Sequence, residues 1–318
     1  MKNVVVIGGG TGQSIILRGV KQLENIKLSA IVTVADDGGS TGRLRKQYNI
    51  PAMGDIRSVM CALAESETLF SSLMNYRFEG KEDDGDISGH NLGNLILTAL
   101  AQSSGSFMNA IQVFSQVLNV RGDIYPSTEQ VITLFAVMED GTIVRGENNI
   151  PKFKNQIKRV FYEEKVKASE MAVEAIKKAD YIVFGIGSLY TSIMPNLIID
   201  EIRDAIKHSN AKKIYFCNAM SQPGETDYYS LEDHVNAIVD HTFPGIIDLV
   251  VTHDNMLKEK TLSKYAAMGS TPVWIQREMH DYQIIKRDLL TFENSLIRHD
   301  SDKIREIMEE IINHKEVQ

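Results

Sequence analysis

Cysteine is nearly absent from this chain of 318 residues: Cys61 and Cys217 stand far apart, without partner spacing. That excludes a disulfide framework and a cysteine-rich zinc site, and it suits buried thiols in a reducing compartment. Long apolar runs are missing too. Stretches such as Val4–Ile7 and Tyr181–Phe184 fall far short of the ~20 residues that span a membrane. Basic residues are in deficit, 34 Lys and Arg against 42 Asp and Glu for a net charge of −8. No nucleic-acid partner is therefore expected, because that role needs a basic face. Met1-Lys2-Asn3 leads straight into an apolar strand, so no signal peptide is expected and a cytoplasmic protein is the reading.

What remains is ordinary globular material, 43% hydrophobic and 24% charged. Short β-branched runs alternate with stretches of helical period, the pattern of an α/β protein with a parallel sheet. Strands are expected at Asn3–Ile7, Leu28–Val34, Ala179–Phe184, Lys213–Cys217 and Asp248–Thr252. Ile56, Val59, Met60, Leu63 and Ala64, then Leu92, Leu95, Ile96, Ala99 and Leu100, repeat at helical spacing. They mark a helical block over about residues 55–118. The Asp- and Gly-rich stretch Gly80–Gly89 reads as an exposed loop. Val131–Met138, Glu139-Asp140-Gly141-Thr142 and Ile143–Arg145 read as a hairpin, within a β-rich insertion over about residues 121–169. Ile304, Ile307, Met308, Ile311 and Ile312 predict a closing helix. The expectation is one Rossmann-like, doubly wound domain over 1–318, with a mostly parallel sheet.

Ligands of such sheets collect at the carboxyl ends of the strands. After the first strand comes Gly8-Gly9-Gly10-Thr11-Gly12, opening onto a helix whose unpaired N–H groups suit a phosphate. It is not a P-loop, because no Gly-Lys-Ser/Thr follows. A dinucleotide fingerprint fails at its sixth position, Gln13. After the second strand comes Asp36-Asp37-Gly38-Gly39-Ser40-Thr41-Gly42-Arg43-Leu44-Arg45. Its paired carboxylates suit ribose or a divalent metal, and Arg43 and Arg45 suit a diphosphate. Asp55 and Asn91 read as helix N-caps, with Asn94 one turn on and His90 a candidate base or ligand. Gly185-Ile186-Gly187-Ser188-Leu189-Tyr190 is a second glycine turn; loops at Asn218–Thr226 and His253-Asp254-Asn255 end later strands. No Gly-x-Ser-x-Gly elbow or catalytic cysteine signature is present.

The Gly-Gly-Gly-Thr-Gly turn, the Asp36–Arg45 segment, Pro51–Ser58, Gly89–Asn94 and Gly185–Asn196 together resemble the gluconeogenesis factors of bacteria, in one superfamily with 2-phospho-L-lactate transferase. The resemblance covers nearly the whole chain. It implies a Rossmann-like fold holding a nucleotide diphosphate conjugate: a UDP-sugar such as UDP-N-acetylglucosamine, in proteins tied to cell shape and wall synthesis during gluconeogenic growth. The transferase branch implies a guanosine diphosphate donor and Mg²⁺, whose ligands would map onto Asp36 or Asp37 and onto Asp55. On this reading Gly9, Gly10, Thr11, Gly12, Gly187 and Ser188 contact phosphates. Asp36, Asp37, Ser40, Thr41, Arg43, Asp55, His90, Asn91, Asn94, Tyr190 and Asn218 complete the polar lining, and Tyr265 and Arg298 stack on a base. A regulator whose one candidate cofactor is Mg²⁺, a homodimer and a protein partner in wall synthesis are expected. The rivals are a Mg²⁺-dependent transferase and an NAD-dependent oxidoreductase.

Overall fold

Continuous β-branched runs, buried on both faces, make the centre of the molecule. Val4–Ile7, Ile182–Phe184 and Leu249–Val251 are all essentially inaccessible to solvent. At roughly 1.5–3 kcal/mol for each large side chain removed from water, they supply much of the driving force for folding. The computed structural model describes residues 1–80, 87–153, 155–293 and 296–313. The tip of the expected Gly80–Gly89 loop, residues 81–86, lies outside them.

The chain opens with β1 (Lys2–Gly8), α1 (Gly10–Val20), β2 (Ile26–Val32) and α2 (Gly39–Tyr48). A helical stretch follows: α3 (Gly54–Leu63), α4 (Glu67–Met74), α5 (Leu92–Ser104) and α6 (Phe107–Val117). Next come β3 (Asp123–Pro126), β4 (Phe135–Met138), β5 (Ile143–Arg145) and β6 (Ile157–Phe161). The α/β rhythm resumes with α7 (Glu170–Lys177), β7 (Tyr181–Phe184), α8 (Met194–Leu197), α9 (Asp200–Lys207) and β8 (Lys212–Phe216). It continues through α10 (Leu231–His241), β9 (Leu249–His253), α11 (Glu259–Ala267) and β10 (Gln283–Arg287). The hairpin β11 (Leu290–Glu293) and β12 (Leu296–His299) precedes α12 (Ser301–Ile312).

Seven parallel strands form one sheet in the order β10-β9-β8-β7-β1-β2-β3. The α/β Rossmann-like architecture expected from the sequence is thus the observed one. Strand order reverses between β1 and β7, where a ligand crevice must open at the carboxyl ends. Helices α3 and α12 pack on α1 over one face. β3 pairs in parallel with β2, so the segment from Asp123 completes the main sheet. The antiparallel unit begins only after it, in the order β5-β4-β6, and the hairpin's first strand starts at Phe135 rather than Val131. Local polarity reads the same in both settings; pairing with β2 decides it.

Candidate functional site

The two glycine turns meet at the switch point. A Cβ placed on Gly12 would run into the Ile186 carbonyl and stand 2.7 Å from Gly187 Cα. Only hydrogen fits there, so α1 starts hard against the turn that follows β7. Gly187 is clamped by Asn218, whose Oδ1 accepts from the Gly187 N–H (3.2 Å) and whose Nδ2 donates to the Gly187 carbonyl (2.8 Å). Asn218 therefore positions the turn with both ends of its amide.

Ser106 caps α6, Ser230 and Asp233 form a capping box on α10, and Asp300 caps α12, whereas α4, α7, α9 and α11 start without a side-chain cap. At the crevice α1 begins on Gly9 and α2 on Gly38, neither with a side-chain cap. Their first N–H groups are left for an anion. Thr11 stands exposed at the head of α1. Gln13, completely buried, donates from Nε2 to the carbonyls of Val6 and Ile31, both at 2.9 Å. The side chain that breaks the dinucleotide fingerprint thus staples β1 to β2 beneath the turn.

Carboxylates ring the turns. A Cβ on Gly9 would lie 2.5 Å from Asp55 Oδ2, which places Asp55 directly against the first turn. Burial, then the neighbouring Asp36, pushes Asp55 up to about 7. Asp36 itself is raised by burial, although the Gly38 N–H donates to it at 2.9 Å. Glu147, which nothing in the local sequence singles out, joins them from the antiparallel unit. Burial, then Asp36 and Asp55, pushes it up to about 8. Asp37 turns to the same unit and accepts from the Asn148 N–H at 2.9 Å. The carboxylates facing Asp55 are thus Asp36 and Glu147, and Asp37 serves to hold the insertion. Asp55 occupies the second position of α3, with Met53 at the N-cap. Among the described residues no three His, Cys, Asp or Glu side chains form a ready metal cage.

A polar chain leads away from this cluster. Asn94 Nδ2 donates to Ser40 Oγ (3.2 Å), and Ser40 Oγ is hydrogen-bonded to His90 Nδ1 (2.9 Å). Burial, then Arg43 and Arg77, holds His90 below the usual histidine range, so it is neutral at pH 7. Asn91 sits at the N-cap of α5, but its Nδ2 donates to the Asn75 carbonyl (3.3 Å). Arg43 donates to the Ser88 carbonyl, and Arg45 is buried on the carbonyls of Ala35, Asp36 and Ile132. Arg45 is consumed by structure and cannot clamp a diphosphate.

Beyond the second turn, Glu225 accepts from Ser188 Oγ, Thr191 Oγ1 and the Tyr190 N–H, a fully enclosed support for that turn. Tyr190 points inward, its hydroxyl 2.9 Å from that of Tyr229. Tyr265 ties α11 to β12, its hydroxyl accepting from the Ile297 N–H at 2.9 Å. Arg298 stands exposed on β12.

Glycine turns at a strand-order reversal, ringed by carboxylates, mark the candidate ligand crevice of a Rossmann-like α/β protein. Residues 4–290 match the family described as 2-phospho-L-lactate transferase CofD. The gluconeogenesis factor of Halalkalibacterium halodurans is 45% identical over 315 residues, 96% of this chain and 95% of that protein. That of Bacillus subtilis is 41% identical over 313 residues, 97% of this chain and 98% of its own. A crystal structure from Bacillus halodurans, described as a member of the upf0052 family, superposes with a TM-score of 0.91. It is 45% identical and covers 96% of this chain and 99% of its own. The chain belongs to the CofD family, alongside its gluconeogenesis factors.

Proposed function

We propose that this chain is a cytoplasmic gluconeogenesis factor that binds a nucleoside diphosphate sugar of the UDP-N-acetylglucosamine type and needs no catalytic step. The observation that carries this reading is the contact of Gly12 with Ile186 and Gly187, which leaves the uncapped start of α1 facing the crevice. Backbone donors of this kind hold phosphates without a nucleophile or a base. Coupling to cell shape and wall synthesis then passes through a protein partner, with the chain acting as a homodimer. That its relatives are named gluconeogenesis factors supports the gluconeogenic setting.

The second reading is a Mg²⁺-dependent transferase using a nucleotide diphosphate donor. Asp36 and Asp55 favour it, because the repulsion between two neighbouring carboxylates falls when a cation sits beside them. Mg²⁺ commonly binds through one or two carboxylates plus substrate phosphates, so a donor would complete the site. An NAD-dependent oxidoreductase is disfavoured by Gln13, which fills the space beneath the turn.

A thermal-shift panel separates these readings: UDP-N-acetylglucosamine, UDP-glucose, UDP, GDP, NAD⁺ and NADH, each with and without Mg²⁺. A ligand at about 100 times its dissociation constant adds roughly 2.7 kcal/mol. Stabilisation by UDP-sugars without Mg²⁺ is the expected result. Mg²⁺-dependent stabilisation by GDP moves the assignment to the transferase, and stabilisation by NAD⁺ or NADH alone overturns both.

A further inference from the structure

We infer that two copies of this chain associate through the outer face of α4, helix against helix and antiparallel, about a two-fold axis level with Ser71. The inference rests on the homodimer in the reading above and adds the surface through which it forms.

From Thr68 to Tyr76 the chain carries no charged residue. The segment is helical throughout. α4 runs to Met74, and the N–H groups of Asn75 and Tyr76 continue its last turn onto the carbonyls of Ser71 (3.0 Å) and Leu73 (3.2 Å). Leu69, Leu73 and Tyr76 recur at i, i+4 and i+7, so they share one face, and they are 71%, 50% and 52% exposed. Glu67, at the first position of the helix, is paired with Arg18 and Lys21 of α1 and its flank. A chain that is 24% charged thus presents leucine and tyrosine to water on this face, and no charge. Interface centres have that composition, depleted in charge and enriched in tyrosine.

α4 is also weakly supported by its own packing. Met74 is its one buried residue, and Phe70 reaches the core only in part. Ser66 stands at the N-cap without bonding the helix start. Helices this short are marginal in water and draw their stability from covering an apolar face. The inner face gives little here, so cover for the outer one matters. Exposed apolar side chains gathered in one place, rather than scattered, mark such a contact.

A second copy suits this face because the face is complementary to itself. A two-fold contact sets residue i against j and j against i. With the axis level with Ser71, Leu69 of each copy meets Leu73 of the other. The same register sets Glu65 of each copy opposite Arg77 of the other, since both stand six positions from Ser71. Both are exposed. Glu65 has a loose ion pair with Arg121 at 3.8 Å, and Arg77 donates one N–H to the Gly89 carbonyl, which leaves donors for a carboxylate. An acidic start and a basic end match in the antiparallel sense, whereas a parallel pairing sets like charges level. Thr68 and Ser72, small and exposed, let the two helices approach closely.

The surface continues past α4. The Arg121 N–H donates to the Leu63 carbonyl at 2.9 Å and Val120 bridges Ala64, which fastens the end of α6 beside the start of α4. Val117 is exposed there. A stable interface buries about 800 Å² per partner, more than one short helix supplies, and the end of α6 extends it.

Sedimentation velocity of the full chain over a concentration series reads the dimer constant. A concentration-dependent dimer is the expected result. Leu69→Glu and Leu73→Glu should each weaken it about tenfold. Glu65→Arg and Arg77→Glu should each weaken it about threefold, and the double variant should return to the parent constant. Circular-dichroism melts of dilute samples check that each variant is folded, and the charge pair decides the matter if a leucine variant is not. A dimer unchanged in both leucine variants overturns the surface and leaves the homodimer intact. A double charge variant no tighter than the single ones also overturns it. A monomer at every concentration overturns the homodimer, and the surface with it.

Discussion

Gly12 and Gly187, 175 positions apart in sequence, lie against one another so closely that a methyl group on Gly12 would stand 2.7 Å from the Gly187 Cα. The obstacle on that side is backbone, which cannot rotate away as a side chain can. Gly12→Ala therefore forces the two turns apart, at a cost of about 1–3 kcal/mol. Urea unfolding should show a lower midpoint, and nucleotide-dependent thermal stabilisation should disappear. An unchanged midpoint would show that the turns are not in contact.

Asp55 and Glu147 make stability fall as pH rises. Each is raised above its unfolded value, to about 7 and about 8, chiefly by burial and then by Asp36. The folded chain thus holds more protons than the unfolded chain between about pH 4 and pH 8, and loses stability across that window. Asp55→Asn keeps the shape and removes one charge. The variant should melt higher than the parent at about pH 8.5 and nearly level with it at about pH 5. Melting curves at the two pH values decide it, and parallel profiles would sink the account.

Arg45 holds the Asp36 loop against the segment between β3 and β4 through three carbonyls, those of Ala35, Asp36 and Ile132. Arg45→Met leaves all three buried without a donor and should cost about 3 kcal/mol. Arg45→Lys should recover only part of this, since an ammonium cannot reproduce the planar fork. Chemical denaturation of the two variants gives the ordering directly; equal stability of the Met and Lys forms would contradict it.

Glu232 works in the opposite sense on the acid side. Burial alone would raise its carboxyl, but His280 and the N–H groups of Arg277 and Gln276 outweigh that and hold it at about 2. Its contribution is present above about pH 4.5 and is lost as pH falls through about 2. Glu232→Gln should lower the melting temperature at neutral pH and flatten the acid limb of the stability profile. Because Glu232 fastens the segment after Trp274, the emission of that tryptophan should shift to the red in the same variant.

The sequence showed the two turns plainly, because glycine placed between a β-branched run and a helix has few other uses. The helices α3 and α5 were legible from their 3.6-residue period, and Asp36 from its place after a strand. Other roles depended on distant partners. Asp36 and Asp37 are adjacent and identical, yet one faces Asp55 and the other accepts from Asn148. Arg45 reads like Arg43 in the same loop, yet it is folded inward. Glu147 follows a short strand with no motif around it.

The sequence by itself determined the alternation of strand and helix, and with it a parallel sheet with phosphate-binding turns. Periodicity and glycine are local signals, set by backbone sterics and by the need to bury apolar faces. Only the tertiary structure decided which carboxylates share one crevice and which polar side chains are spent on backbone. Those outcomes depend on strand order, and strand order is fixed by packing energies between segments more than a hundred residues apart.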